Sequence, residues 1–158
     1  MPILPALLKL LLGTAAAAAA AAPLTPLTVY EGNWIYTSAA DPSRPDHLTN
    51  HCHMDDAFYT CEQVVNGKPV ALLIFTAGDG PGNLHSQVVL PSGNPAGKRS
   101  DLTIDGNHWT FLSKDANGTT YRIENYIRDH DHIRSEQYKS TDGTTWQKTG
   151  EGEEVRVE

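Results

Sequence analysis

"CEQVVNGKPVALLIFT" (residues 61–76) decides the fold. Short runs rich in Val, Leu, Ile and Phe stand on either side of Asn66-Gly67. Asn-Gly favours the two-residue type I′ turn because both residues tolerate positive φ, so the stretch reads as a β-hairpin. The same grammar continues downstream. Asp105-Gly106-Asn107 parts "SDLTI" from "HWTFLS", Asn117-Gly118 parts that run from "TTYRIENYIR", and Asp142-Gly143 parts "HIRSEQYKS" from "TTWQK". "AGDGPGN" and "PSGNPAG" are longer glycine- and proline-rich loops. Turn clusters recurring every ~8–12 residues between short alternating runs are the all-β pattern. Beyond residue 22 no amphipathic helix of useful length interrupts it.

The runs number nine or ten. Tight turns make sequence neighbours pair antiparallel, and such a meander exposes two edges unless it closes on itself. The expected fold is therefore all-β, a closed up-and-down antiparallel β-barrel of about eight to ten strands. A two-sheet sandwich needs long crossing connections, and only residues 39–48 supply a clear one.

Just upstream lies "HCHMDDAFYTC" (residues 51–61), which holds both cysteines of the chain. With Asp56-Ala57 at a hairpin tip, Cys52 falls opposite Cys61, and opposed residues of an antiparallel pair lie within disulfide reach. A bridge closing so short a loop stabilises by roughly 2–3 kcal/mol. A redox-active pair would want C-x-x-C at a helix start, which is absent, so a structural disulfide is expected.

The chain begins "MPILPALLKLLLGTAAAAAAAAPLTP". One cation, Lys9, precedes an apolar run (residues 10–22) too short to cross ~30 Å of hydrocarbon as a helix. Leucines giving way to small residues fit a secretory signal with an Ala-x-Ala cleavage zone. The expectation is a cleaved signal peptide over residues 1–22 and a single barrel domain over residues 23–158, secreted or periplasmic, with no integral membrane segment. A net charge of −7 without a Lys/Arg cluster lacks the electrostatic footprint of a nucleic-acid binder.

"VYEGNWIYTS" (residues 29–38) places a Gly-x-Trp on the first strand of this meander. In that position it resembles the lipocalin and wider calycin group, and the likeness to bacterial secreted lipocalin-like proteins of unknown function runs from about Tyr30 to Val157. The resemblance implies that Trp34 plugs the closed end of the barrel. It also implies that a basic residue of the last strand, Arg156 in "EEVRVE", packs over that Trp. The central Thr-Asp-Tyr signature of true lipocalins is absent, "NYIRDHDH" standing in its place.

Chemistry concentrates in "TTYRIENYIRD" and "HIRSEQYKS". With His130-Asp131 as the turn, Asn125 faces Glu136 and Ile127 faces Arg134, whereas a one-residue slip sets Glu124 against Glu136, a like-charge pairing that costs stability. In the preferred register one face carries Tyr121, Ile123, Asn125, Ile127, Arg134, Glu136 and Tyr138. If that face is the lumen, Asn125, Arg134, Glu136 and Tyr138 form a small polar constellation among apolar walls, as ligand sites do. The reverse orientation, or a self-satisfied structural network, is the alternative.

His51 and His53 share a strand face, and His130 and His132 repeat the spacing. Neither pair has further ligands at a telling distance, so no metal or other cofactor is expected. "STDGTTW" (residues 140–146) is similar to one shortened Asp-box and reads as a hairpin turn followed by a core Trp. No nucleophile elbow, zinc-protease or phosphate-loop motif occurs. The preferred function is binding of a small, partly polar or amphipathic molecule in the lumen. A packed structural or interaction barrel is the alternative, and a calycin-type enzyme using Glu136 as acid or base is a third class. The strand aromatics, from Phe58 to Trp146, would fill a narrow barrel if half pointed inward.

Overall fold

The computed structural model describes residues 23–95 and 99–158. The expected leader, residues 1–22, lies outside them. A 3₁₀ turn at Thr25–Tyr30 leads into β1 (Gly32–Ser38), β2 (Asp46–Met54), β3 (Tyr59–Val65), β4 (Lys68–Ala77) and β5 (Asn83–Val89). Then come β6 (Ser100–Asp105), β7 (His108–Lys114), β8 (Thr120–Asp129), β9 (His132–Ser140) and β10 (Gln147–Val157). Each strand pairs antiparallel with its sequence neighbours, and β1 pairs with β10 to close a barrel of ten strands. Closure leaves no sheet edge to cover. The fold is the expected one.

The turns sit where the sequence set them. Val65 and Lys68 flank Asn66-Gly67, whose φ values are 49° and 76°. Cys52 lies opposite Cys61 and is bonded to it, with the Cα atoms 4.1 Å apart.

One end of the barrel is solid. Trp34, fully buried, packs with Leu48 and Ile133. The 3₁₀ turn carries Leu24 and Leu27 against Tyr59, Phe75, Leu84, Leu102 and Trp109. Of the strand aromatics, Tyr59, Phe75 and Trp109 point into this floor. Phe58 is exposed instead, and Trp146 lies outside the barrel over the Arg122 guanidinium, 4.3 Å from it, rather than in the core.

Gly-x-Trp now has a physical reason. Gly32 has φ of 108°, where side chains are rarely tolerated, and a Cβ there would meet the Arg156 guanidinium at 2.7 Å. That space lets Arg156 cross to the Val29 carbonyl at 2.7 Å and to the Glu31 carbonyl. The guanidinium lies 4.2 Å over the Trp34 ring, while Trp34 Nε1 donates to the Tyr30 carbonyl at 3.1 Å. Arg156 therefore ties the last strand to the entry segment, and the packing over Trp34 is as the resemblance implied.

Candidate functional site

The β8–β9 hairpin corrects the sequence reading. Its turn is at His130-Asp131, with Asp129 paired to His132, but the register shifts between Ile127 and Asp129. One extra residue, Arg128, bulges out, so Asn125 faces Ser135, Tyr126 faces Arg134, and Glu124 faces Glu136. The bulge sets Ile127 opposite Ile133, which is 1% exposed in the floor. Without it Arg134 would oppose Ile127 and turn its charge toward the apolar interior, at high cost.

The like-charge pairing is therefore real, and the outer face neutralises it. Glu136 accepts from Arg134 at 2.6 Å, Tyr138 at 2.8 Å and Lys148 at 2.9 Å. Glu124 accepts from the Tyr126 hydroxyl at 2.8 Å and pairs with Arg122 at 2.9 Å. Lys148 and Tyr138 hold the Glu136 carboxyl below its ordinary range, while the bond to Glu124 pushes the Tyr126 phenol up to about 12. Arg122 also lies over the Tyr138 and Trp146 rings, at 4.7 and 4.3 Å. Of the residues singled out from sequence, Arg134, Glu136 and Tyr138 are thus brought together, on the outside of the barrel. Asn125 stands apart from them, inside.

Above the floor the interior is hollow. A cavity of about 260 Å³ has apolar walls from Leu73, Phe75, Val88, Phe111 and Ile123. Ile123 points inward and is still 39% exposed, so the cavity communicates with solvent at the end of the barrel opposite Trp34. Its polar groups are Tyr30, Asn50, Gln63, Ser86, Ser100, Asn125 and Glu154.

Tyr30 organises the base of this cavity. Its ring packs edge-on against Trp109 at 5.5 Å and stacks with Phe75 at 6.4 Å. Asn125 Nδ2 donates to its hydroxyl and Asn50 Nδ2 to its carbonyl, both at 2.9 Å. Burial pushes the Tyr30 phenol well above its ordinary value, keeping it neutral. Among the described residues the Oδ1 atoms of Asn50 and Asn125, like the Tyr59 hydroxyl of the floor, are buried without a hydrogen-bond partner. Buried polar atoms are seldom unpaired in folded proteins.

Glu154 enters from β10, between Tyr36 of β1 and Ile133 of β9. Among the described residues it makes no ion pair or hydrogen bond, and burial pushes its carboxyl up to about 7. Gly152, two residues earlier on the same face, leaves room for the Tyr36 ring, which occupies the space a side chain would need. Sequence reasoning missed Glu154, although the signal was present. Placing Arg156 over Trp34 fixes the inner face of the last strand, and side chains two apart share a face.

A second hollow, about 430 Å³, lies outside the barrel, between residues 37–42 and the outer face around Arg128 and Arg134. Its cations already have partners. Arg128 reaches Glu153 at 3.3 Å, and Arg134 reaches Glu136 and Glu151. The histidine pairs are exposed, His53 beside Asp55 and His132 beside Asp129. Among the described residues no three His, Cys, Asp or Glu side chains are grouped to hold a metal ion. Among them, too, no helix is long and apolar enough to cross a membrane. Compared with models of protein families and with curated protein sequences, the chain matches none.

Proposed function

We propose that this protein is an exported barrel of lipocalin-like type that binds one small, amphipathic molecule non-covalently in its lumen. The observation that carries this reading is the solvent-connected cavity of about 260 Å³, which combines an apolar wall with a few polar groups, Glu154 among them. An apolar cavity of ~150 Å³ takes up benzene, so the lumen suits a single substituted ring or a short chain. Apolar walls supply affinity and a few fixed polar groups supply orientation, the usual division in ligand pockets. Here Asn125 from the original constellation keeps its role, joined by Asn50, Tyr30 and Glu154. Arg134, Glu136 and Tyr138 serve instead to hold the β8–β9 register. The rival, a packed structural module, accounts for the floor but offers no reason for the open cavity above it.

Export rests on the leader composition, and the Cys52–Cys61 bridge fits an oxidising compartment. The test is a thermal-shift screen of small apolar and amphipathic metabolites against wild type and Ser86→Phe. Ser86 is 8% exposed and lines the cavity, so a ring there fills the space. A ligand that raises the melting temperature of wild type and not of the folded variant supports the reading. A blank screen, or equal shifts in both proteins, contradicts it.

A further inference from the structure

We infer that the lumen selects a primary amine on a compact apolar body, with the ammonium seated against Glu154. This rests on the lumen being the ligand site and specifies its chemistry. Two observations converge on it. Among the described residues the cavity wall has one carboxyl and no Lys, Arg or His. That carboxyl has no hydrogen bond or ion pair within them, and an ammonium, with three donors and no acceptor, is the head that complements it.

The groups around Glu154 leave its charge unanswered. Tyr36 on β1 and Tyr30 from the 3₁₀ turn are phenols, Ile133 on β9 is apolar, and Asn50 and Asn125 are neutral. Arg128, His132 and Arg134 share a small hollow with Glu154, but they pair with Glu153, with Asp129, and with Glu136 and Glu151. The nearest cation on its own face, Arg156, is engaged by the Val29 and Glu31 carbonyls, by Asp131 at 3.2 Å and by the Trp34 ring. A carboxylate so placed is costly until a cation joins it. An anionic head would meet the carboxylate directly, and among the described residues the cavity holds no cation to offset that repulsion. A neutral alcohol would satisfy one acceptor and leave the charge alone. The net charge of −7 adds a long-range bias in the same direction.

The experiment titrates the full chain, disulfide intact, with 2-phenylethylamine, 2-phenylethanol and phenylacetate at pH 8 and pH 5.5, by calorimetry and thermal shift. At pH 8 the amine should bind about tenfold more tightly than the alcohol, and the acid not measurably. The amine stays charged at both pH values, whereas Glu154 becomes neutral at pH 5.5, so the preference should collapse there. Glu154→Gln, which removes no hydrogen bond, should bind amine and alcohol alike at both pH values. In wild type the Glu154 carboxyl carbon, followed by NMR, should titrate at lower pH once the amine is bound. Alcohol binding as well as amine at pH 8, or a preference that survives Glu154→Gln, overturns the inference and leaves lumen binding intact. If none of the three binds, the inference is overturned, and a blank metabolite screen then removes the underlying reading as well.

Discussion

The lower and upper halves of the interior lie on the same ten strands and are built on opposite rules. At the floor, Trp34, Leu27, Tyr59 and Leu84 are at most 1% exposed, and Trp34 and Trp109 donate their indole N–H to backbone carbonyls. Above it lies a cavity open to solvent, lined by Glu154, whose carboxyl has no partner among the described residues. A barrel packed throughout would have closed both halves alike. The solid floor serves folding, and the hollow upper half is where we propose that a ligand binds.

Substitutions should separate the halves. Trp34→Ala removes a fully buried ring from the floor and should cost about 3–5 kcal/mol in denaturant titration. A loss below ~1 kcal/mol would mean that the floor is not solid. Replacing both cysteines by alanine should cost roughly 2–3 kcal/mol, since the bridge closes the β2–β3 hairpin beside the buried floor.

Glu154 should behave in the reverse sense. Its folded-state pKa of about 7 lies above the ~4.3 of an unfolded glutamate. Between those values the folded protein holds a proton that the unfolded chain has lost, so this group's contribution falls as pH rises through the window and levels off above it. Glu154→Gln should therefore stabilise the empty protein by about 1–3 kcal/mol at pH 8 and hardly at pH 4.5, read as the difference between variant and wild-type melting curves. A variant less stable than wild type at pH 8 would show that the carboxyl has a partner. Smallest of all, Ile123→Ala should cost about 1 kcal/mol or less, because its side chain lines a cavity already open to solvent. A cost near 3 kcal/mol would put Ile123 in a closed core.

Most of the architecture was legible because its determinants are local. Asn66-Gly67 specifies a turn by its own backbone preferences, and the spacing of Cys52 and Cys61 about Asp56-Ala57 specifies a register. The β8–β9 register was not legible. Repulsion between Glu124 and Glu136 argued against the true pairing, and what reverses it lies partly on another strand, in Lys148 of β10. No neighbouring residue in sequence announces that cation. The inversion of the polar constellation follows from the single bulge at Arg128, since a slip of one residue sends a strand's side chains to the opposite face. Asn125 reached the lumen because it precedes the bulge on its own strand. Tyr30, which positions both orphaned amides, comes from a 3₁₀ turn that strand periodicity does not describe.

The contrast between floor and lumen is tested most directly by the side-chain amide signals of Asn50 and Asn125 in a ¹⁵N-labelled sample titrated with 2-phenylethylamine and 2-phenylethanol. Asn50 and Asn125 both line the cavity, so a ligand in the lumen should shift both amide pairs on titration while the indole signal of Trp146, outside the barrel, stays in place. Shifts confined to Trp146 and the outer hollow around Arg134, or no shift at millimolar probe, would contradict the account.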